Sequence, residues 1–173
     1  MQKKFVTSLV LIVLVVVLGI FIFNNNGLKE TKETEKQFDT EQEALQYAKR
    51  QTPNIVDVIS ETKLVENEKV IIYKFKKNEE VGVGTGTLTW KNKKVVWNKN
   101  GDDTIIYNID DKTKTDISGN VETPSGNKFK LYAGIANSKN IKIETETDDN
   151  VVPHFDQKSK IYYLLIPIMD KKS

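Results

Sequence analysis

Residues 79–90 read EEVGVGTGTLTW, and three glycines spaced two apart lie at their centre: Gly82, Gly84 and Gly86. A glycine-rich loop that wraps phosphate and a glycine-bearing β-strand make different demands on this stretch. A dinucleotide fingerprint needs G-x-G-x-x-G at the mouth of a helix, so that free backbone N–H groups point at the pyrophosphate. Counting from Gly82 the third glycine position holds Thr87, and counting from Gly84 it holds Thr89. Neither start is followed by a helical pattern, and the Gly-Lys-Ser/Thr of a P-loop is missing. The period is two throughout. Gly82, Gly84, Gly86, Leu88 and Trp90 share one face of a strand, while Val81, Val83, Thr85, Thr87 and Thr89 share the other. The glycines therefore belong to a strand, where they leave a shallow trough for a helix or for neighbouring aromatic rings.

The elements on either side agree with this reading. Upstream, VIIYKFK sets Ile71, Tyr73 and Phe75 on one face and Lys74 and Lys76 on the other. Before it, FDTEQEALQYAKRQTP is a helix. Thr40 and Glu43 are spaced as a capping box, Ala44, Leu45 and Ala48 make a narrow apolar stripe beside Tyr47, and Pro53 ends the run. Downstream, KKVVWNKNGDDTIIYNI reads as two strands joined through Asn100-Gly101, a hairpin signal. An EF-hand alignment on Gly101 fails, because Val96 and Tyr107 then fall at the terminal ligand positions. Further turns at Pro124–Asn127, Asn137–Asn140, Asp148–Asn150 and Asp156–Ser159 divide the remainder into strands. Ile141, Ile143 and Thr145 alternate with Lys142, Glu144 and Glu146 as a half-buried strand. IYYLLIPI is apolar on both sides, which fits a central strand, or an edge strand, since Pro167 cannot donate to a ladder.

The N-terminus is of another kind. From Phe5 to Phe23 the chain carries no charge. As a helix this run is about 28 Å long, close to the ~30 Å of a bilayer core. It ends in bulky GIFIF rather than a small-x-small cleavage site, so an uncleaved anchor is expected. Lys3 and Lys4 favour a cytoplasmic N-terminus, although Lys29, Lys32 and Lys36 flank the other side. Asn24 to Gln37 is polar and charge-mixed and reads as a stalk.

Composition narrows the chemistry. There is no cysteine, hence no disulfide, thiolate metal site or thiol nucleophile. The whole chain has 26 basic and 24 acidic side chains; the first 36 residues hold five and three of them, which leaves 21 and 21. A neutral body argues against nucleic acid as a partner. Lys91, Lys93, Lys94 and Lys99 read as a solvated face. His154 is the only histidine and follows Pro153 near a turn, and no G-x-S-x-G is present. Glu144 and Glu146 are one place where chemistry could reside, as a hard-cation site or an acid/base pair, though exposed paired carboxylates are commonly just solvated. Trp90, Trp97, Tyr107, Tyr132, Tyr162 and Tyr163 could line a groove, or simply fill the core of a small β-rich domain.

The motifs TEQEALQYAK, VIIYKF, VGVGTG, VVW and YAGIANSKNIKIE, spread over most of Phe38 to Ile168, resemble a pattern in uncharacterised, N-terminally membrane-anchored secreted proteins of Gram-positive bacteria. The lipid-bearing cysteine of many such proteins is missing here. The resemblance implies an envelope location and a helix-plus-β build, and carries no active site.

The expected fold is α+β, mainly antiparallel β with one packed helix near the start of the body, preceded by a transmembrane helix. Residues 1–4 form a cytoplasmic tip, 5–23 the anchor, 24–37 the stalk, 38–110 a helix plus antiparallel sheet, and 111–173 a second β-rich half of the same domain or a separate one. The expected function is a non-catalytic, membrane-anchored extracytoplasmic module for protein interaction or surface sensing in a bacterial envelope. Its partners are the lipid bilayer, through Phe5 to Phe23, and an envelope protein. The alternative is a small-ligand or glycan-binding domain with an aromatic-lined groove. No catalytic, cofactor or metal residue is expected.

Overall fold

A computed structural model describes residues 35–62, 65–109 and 114–168. The expected anchor, and the stalk up to residue 34, lie outside them. Among the described residues no helix is long and apolar enough to cross a membrane. In chain order the elements are β1 (Gln37–Phe38), α1 (Glu41–Gln51), β2 (Ile55–Glu61), β3 (Glu68–Lys77), β4 (Glu80–Lys91), β5 (Lys94–Lys99), β6 (Thr104–Asn108), β7 (Ile117–Glu122), β8 (Lys128–Ile135), β9 (His154–Asp156) and β10 (Ile161–Pro167). They form two antiparallel sheets. The first runs β1-β5-β4-β3-β2 with β6 also on β4, and the second runs β7-β8-β10-β9.

The period of two in β3 and β4 sorts the layers. Val70 and Ile72 of β3 and Val83 of β4 point toward the second sheet, where they pack with Ile106, Val121, Leu131, Ala133 and Ile161. The opposite face receives α1. Ala44 packs there with Phe38, Ile71, Leu88 and Val95, and Ala48 with Ile55, Tyr73 and Phe75. The expected Ala stripe is thus the contact stripe. Its helix is closed at the start by the expected box, with the Glu43 N–H donating to Thr40 Oγ1 at 3.2 Å and the Glu43 carboxylate accepting from the Thr40 N–H at 3.3 Å. Because the first sheet gives one face to α1 and the other to the second sheet, the described residues from 36 onward make one compact unit. The segments 38–110 and 111–173 divide the chain between the sheets, and both contribute to a shared core.

The glycines of β4 lie under aromatic rings. A side chain on Gly82 would meet the Phe75 ring and the Thr104 carbonyl, one on Gly84 the Tyr73 ring and the Asp103 carboxylate, and one on Gly86 the Trp97 ring. Tyr73 stands directly opposite Gly84, and Phe75 opposite Gly82. The rings fold over their cross-strand partners, which only a missing Cβ allows.

The Asn100-Gly101 hairpin is corrected. β5 and β6 do not pair with each other; both run antiparallel to β4 along the same edge, β5 against Gly86–Lys91 and β6 against Glu80–Val83. They are two parts of one interrupted strand. Between them residues 100–103 bulge out opposite residues 84–85, with Gly101 at φ +70°. The true tight turns have less obvious sequences: Asn92-Lys93 and Glu66-Asn67, each pair with both φ angles positive as a type I′ turn requires. The bulge has a use. It brings Asp103 over Gly84, where it accepts a 2.6 Å hydrogen bond from the Tyr73 hydroxyl. Burial, then this bond, push the Tyr73 hydroxyl well above its usual range.

Residues 141–146 are corrected as well. The segment is not a strand; one isolated bridge, Ile143 to Val151, ties it into a loop. The alternation is still present as burial, Thr145 being buried and Lys142, Glu144 and Glu146 exposed, because the segment lies over a sheet rather than within one.

β10 sits between β8 and β9 but meets β9 only through Ile161–Tyr163. The Ala136 N–H donates to the Lys160 carbonyl and the Ile168 N–H to the Lys128 carbonyl. Even-numbered residues of β10 therefore bond β8, and odd-numbered ones face the other edge. Pro167 is odd, so its missing N–H costs the ladder nothing, and it blunts the edge that β9 leaves uncovered.

Candidate functional site

The two sheets repeat one local device. In the second sheet Tyr162 of β10 stands opposite Gly134 of β8, and a side chain on Gly134 would meet both the Tyr162 hydroxyl and the Asp116 carboxylate. Asp116 precedes β7 as Asp103 precedes β6, and it hydrogen-bonds Tyr162 as Asp103 bonds Tyr73. Burial first and the Asp116 contact second push the Tyr162 hydroxyl upward. The chain passes through the two arrangements in opposite order, tyrosine strand first in one and last in the other, so no tandem sequence repeat underlies them.

What differs is the cover. Over Tyr73 lies α1. Over Tyr162 lies the loop of residues 141–146, and it leaves a cavity of about 590 Å³. The floor is the outer face of the second sheet: Ser118 of β7, Tyr132 of β8 and Tyr162 of β10, with Asp116 at the rim. The roof is the loop itself, Ile141, Lys142, Ile143, Glu144, Thr145 and Glu146. The roof is fastened at one end, where the Glu146 N–H donates to Tyr132 Oη at 3.2 Å and the Glu146 carboxylate pairs with Lys130 at 2.8 Å. Thr145 is fixed by its own turn, its hydroxyl donating to the Asp148 carbonyl and accepting from the Asp148 N–H, each at 3.0 Å.

The residues singled out in the sequence scatter. Glu144 and Glu146 do come to the cleft, on its roof. His154 lies away from it, stacked on Tyr163 with centroids 5.4 Å apart. Of the six aromatics, Trp90 and Trp97 pack beneath α1 and Tyr163 packs between the sheets. Only Tyr132 and Tyr162 reach the cleft, where they are 9% and 3% exposed. They offer hydroxyls and ring edges, and no broad stacking face. Asp116 and Ser118 are the functional candidates that sequence reading missed. Their one signal is the polar alternation D-I-S-G-N at residues 116–120. Among the described residues no group of three His, Asp or Glu side chains is placed to hold a metal.

No family model, curated protein or solved structure matches the chain.

Proposed function

We propose that this protein is a non-catalytic, membrane-anchored binding module of a bacterial envelope, and that it takes a small polar ligand in the cleft on the outer face of its second sheet. The anchor is the charge-free Phe5–Phe23 run, with Lys3 and Lys4 on the cytoplasmic side. The observation that carries the reading is the contrast between the two sheets. One Tyr–Asp–Gly arrangement is sealed by α1, and its counterpart opens into a cavity of about 590 Å³ under a loop. A volume of that order suits a small molecule. The concave shape favours a ligand over a broad protein contact, and the nearly buried tyrosine rings disfavour a sugar held by stacking. The acid/base reading of Glu144 and Glu146 loses support because Glu146 is paired with Lys130 and the lone histidine is elsewhere.

The test is a plug. Ser118 is exposed on the cleft floor, and Ser118→Trp fills the space without touching the core. The full chain in detergent is expected to melt several degrees higher when mixed with a small-molecule extract of the producing cells' envelope, since a ligand that binds only the native state stabilises it. The Trp variant is expected to melt as the parent does without extract and to show no rise with it. A rise of equal size in the variant, or none in the parent, contradicts the assignment.

A further inference from the structure

Resting on that reading, we infer that the cleft selects a ligand bearing a protonated amine beside a hydroxyl or carbonyl oxygen. Its basis is the hydrogen-bonding capacity that the protein leaves unspent. Tyr162 spends its only proton on Asp116, so it has none for a ligand, while Asp116 keeps acceptor capacity at the rim. Glu144 is exposed on the roof and has no ion-pair partner among the described residues. These two carboxylates face the same space with acceptors only. Lys130, which pairs with Glu146, does not line the cavity; among the described residues Lys142 is the one cation on its lining, set against the carboxylates of Asp116, Glu144 and Glu146.

Tyr132 provides the opposite polarity. Its oxygen accepts from the Glu146 N–H, and its own proton meets no acceptor among the described residues. Tyr132 is 9% exposed and lines the cleft. A buried donor without an acceptor is costly to leave unpaired, so a ligand oxygen placed there is favoured. Ser118, on the floor, can serve either part. Ile141 and Ile143 supply an apolar wall for a short carbon frame between the two polar ends. A bare metal ion fits less well, because among the described residues no group of three His, Asp or Glu side chains is placed to hold one. A neutral polyol would leave the carboxylates without a charged partner, and charge-assisted bonds are the stronger class.

The experiment titrates the full chain, 15N-labelled in detergent micelles near neutral pH, with two matched pairs: ethanolamine against ethylene glycol, and glucosamine against glucose. The amides of Ser118, Gly134, Thr145 and Glu146 are read. In each pair the amine is expected to shift them at concentrations about tenfold lower than its neutral partner, with the advantage reduced by high salt. In Asp116→Asn the amine's advantage over its neutral partner is expected to shrink in both pairs. If amine and neutral partner act alike, the amine inference fails and the cleft assignment stands. If none of the four perturbs these amides, both are overturned.

Discussion

Gly84→Val is expected to lower stability by about 3 kcal/mol, at the upper end of what overpacking costs, and to lower the melting temperature by roughly 10 °C. The new Cβ would lie less than 3.0 Å from the Tyr73 ring and from the Asp103 carboxylate. Neither can yield cheaply. Tyr73 is fully buried beneath α1, and Asp103 is held by the Tyr73 hydroxyl at 2.6 Å and by Lys99 at 3.3 Å. Gly119→Val is the control, because a Cβ added there would have nothing within 4 Å, and it is expected to be nearly neutral. Thermal unfolding of the two variants beside the parent decides the matter. Equal stability of Gly84→Val and the parent would mean the rings do not lie over the strand glycines. A melting temperature that rises with added nucleotide would revive the phosphate-loop reading.

Glu68→Ala is expected to cost about 3 kcal/mol near neutral pH, through loss of hydrogen bonds to a buried charge and abandonment of their donors. Glu68 begins β3 at 3% exposure, and its carboxylate joins the two sheets. It accepts from the Thr89 hydroxyl at 3.3 Å in the first sheet, and from the Ser125 N–H at 3.1 Å and Asn127 Nδ2 at 3.3 Å in the β7–β8 turn. Burial works against its ionisation, and hydrogen bonds from Thr123, Ser125 and Asn127 outweigh burial, so its pKa falls below the ordinary 4.5. The sign for stability follows. A carboxyl with a depressed folded-state pKa contributes fully above its unfolded pKa and loses that contribution as pH falls through the folded one. The gap between parent and Glu68→Ala, measured by urea unfolding, is therefore expected to be widest near neutral pH and to narrow on acidification below the ordinary carboxyl range. A gap that widens on acidification would contradict the latch.

Where the sequence was legible, local spacing and packing asked for the same thing. Thr40 and Glu43 needed only each other and the backbone between them. The glycines of β4 alternate with valines and threonines because one face must lie under rings and the other must meet a second sheet, and both demands act on neighbouring residues. What escaped was set by partners distant in the chain. Asn100-Gly101 carries hairpin chemistry, yet β4 is twelve residues long and β5 covers only part of it, so the chain gained more by continuing along the same edge. Residues 141–146 alternate like a strand because every second side chain turns toward the sheet beneath them, while Ile143 and Thr145 find backbone partners within the loop. The cleft itself depends on Asp116 meeting Tyr162, 46 positions later, and no local pattern announces such a pair.

The central claim is a folded cleft presented outside the cell by a membrane-anchored chain, and one cysteine tests it most directly. The protein has none of its own, so Ser118→Cys places a single thiol on the cleft floor. Intact cells that produce the protein are treated with a membrane-impermeant maleimide, and the protein retained with the membranes is then weighed. One label is expected on intact cells, on a chain that keeps its first residues and stays with carbonate-washed membranes. Labelling that appears only after lysis, or a labelled chain released in shortened form beginning near Asn24, would contradict the claim.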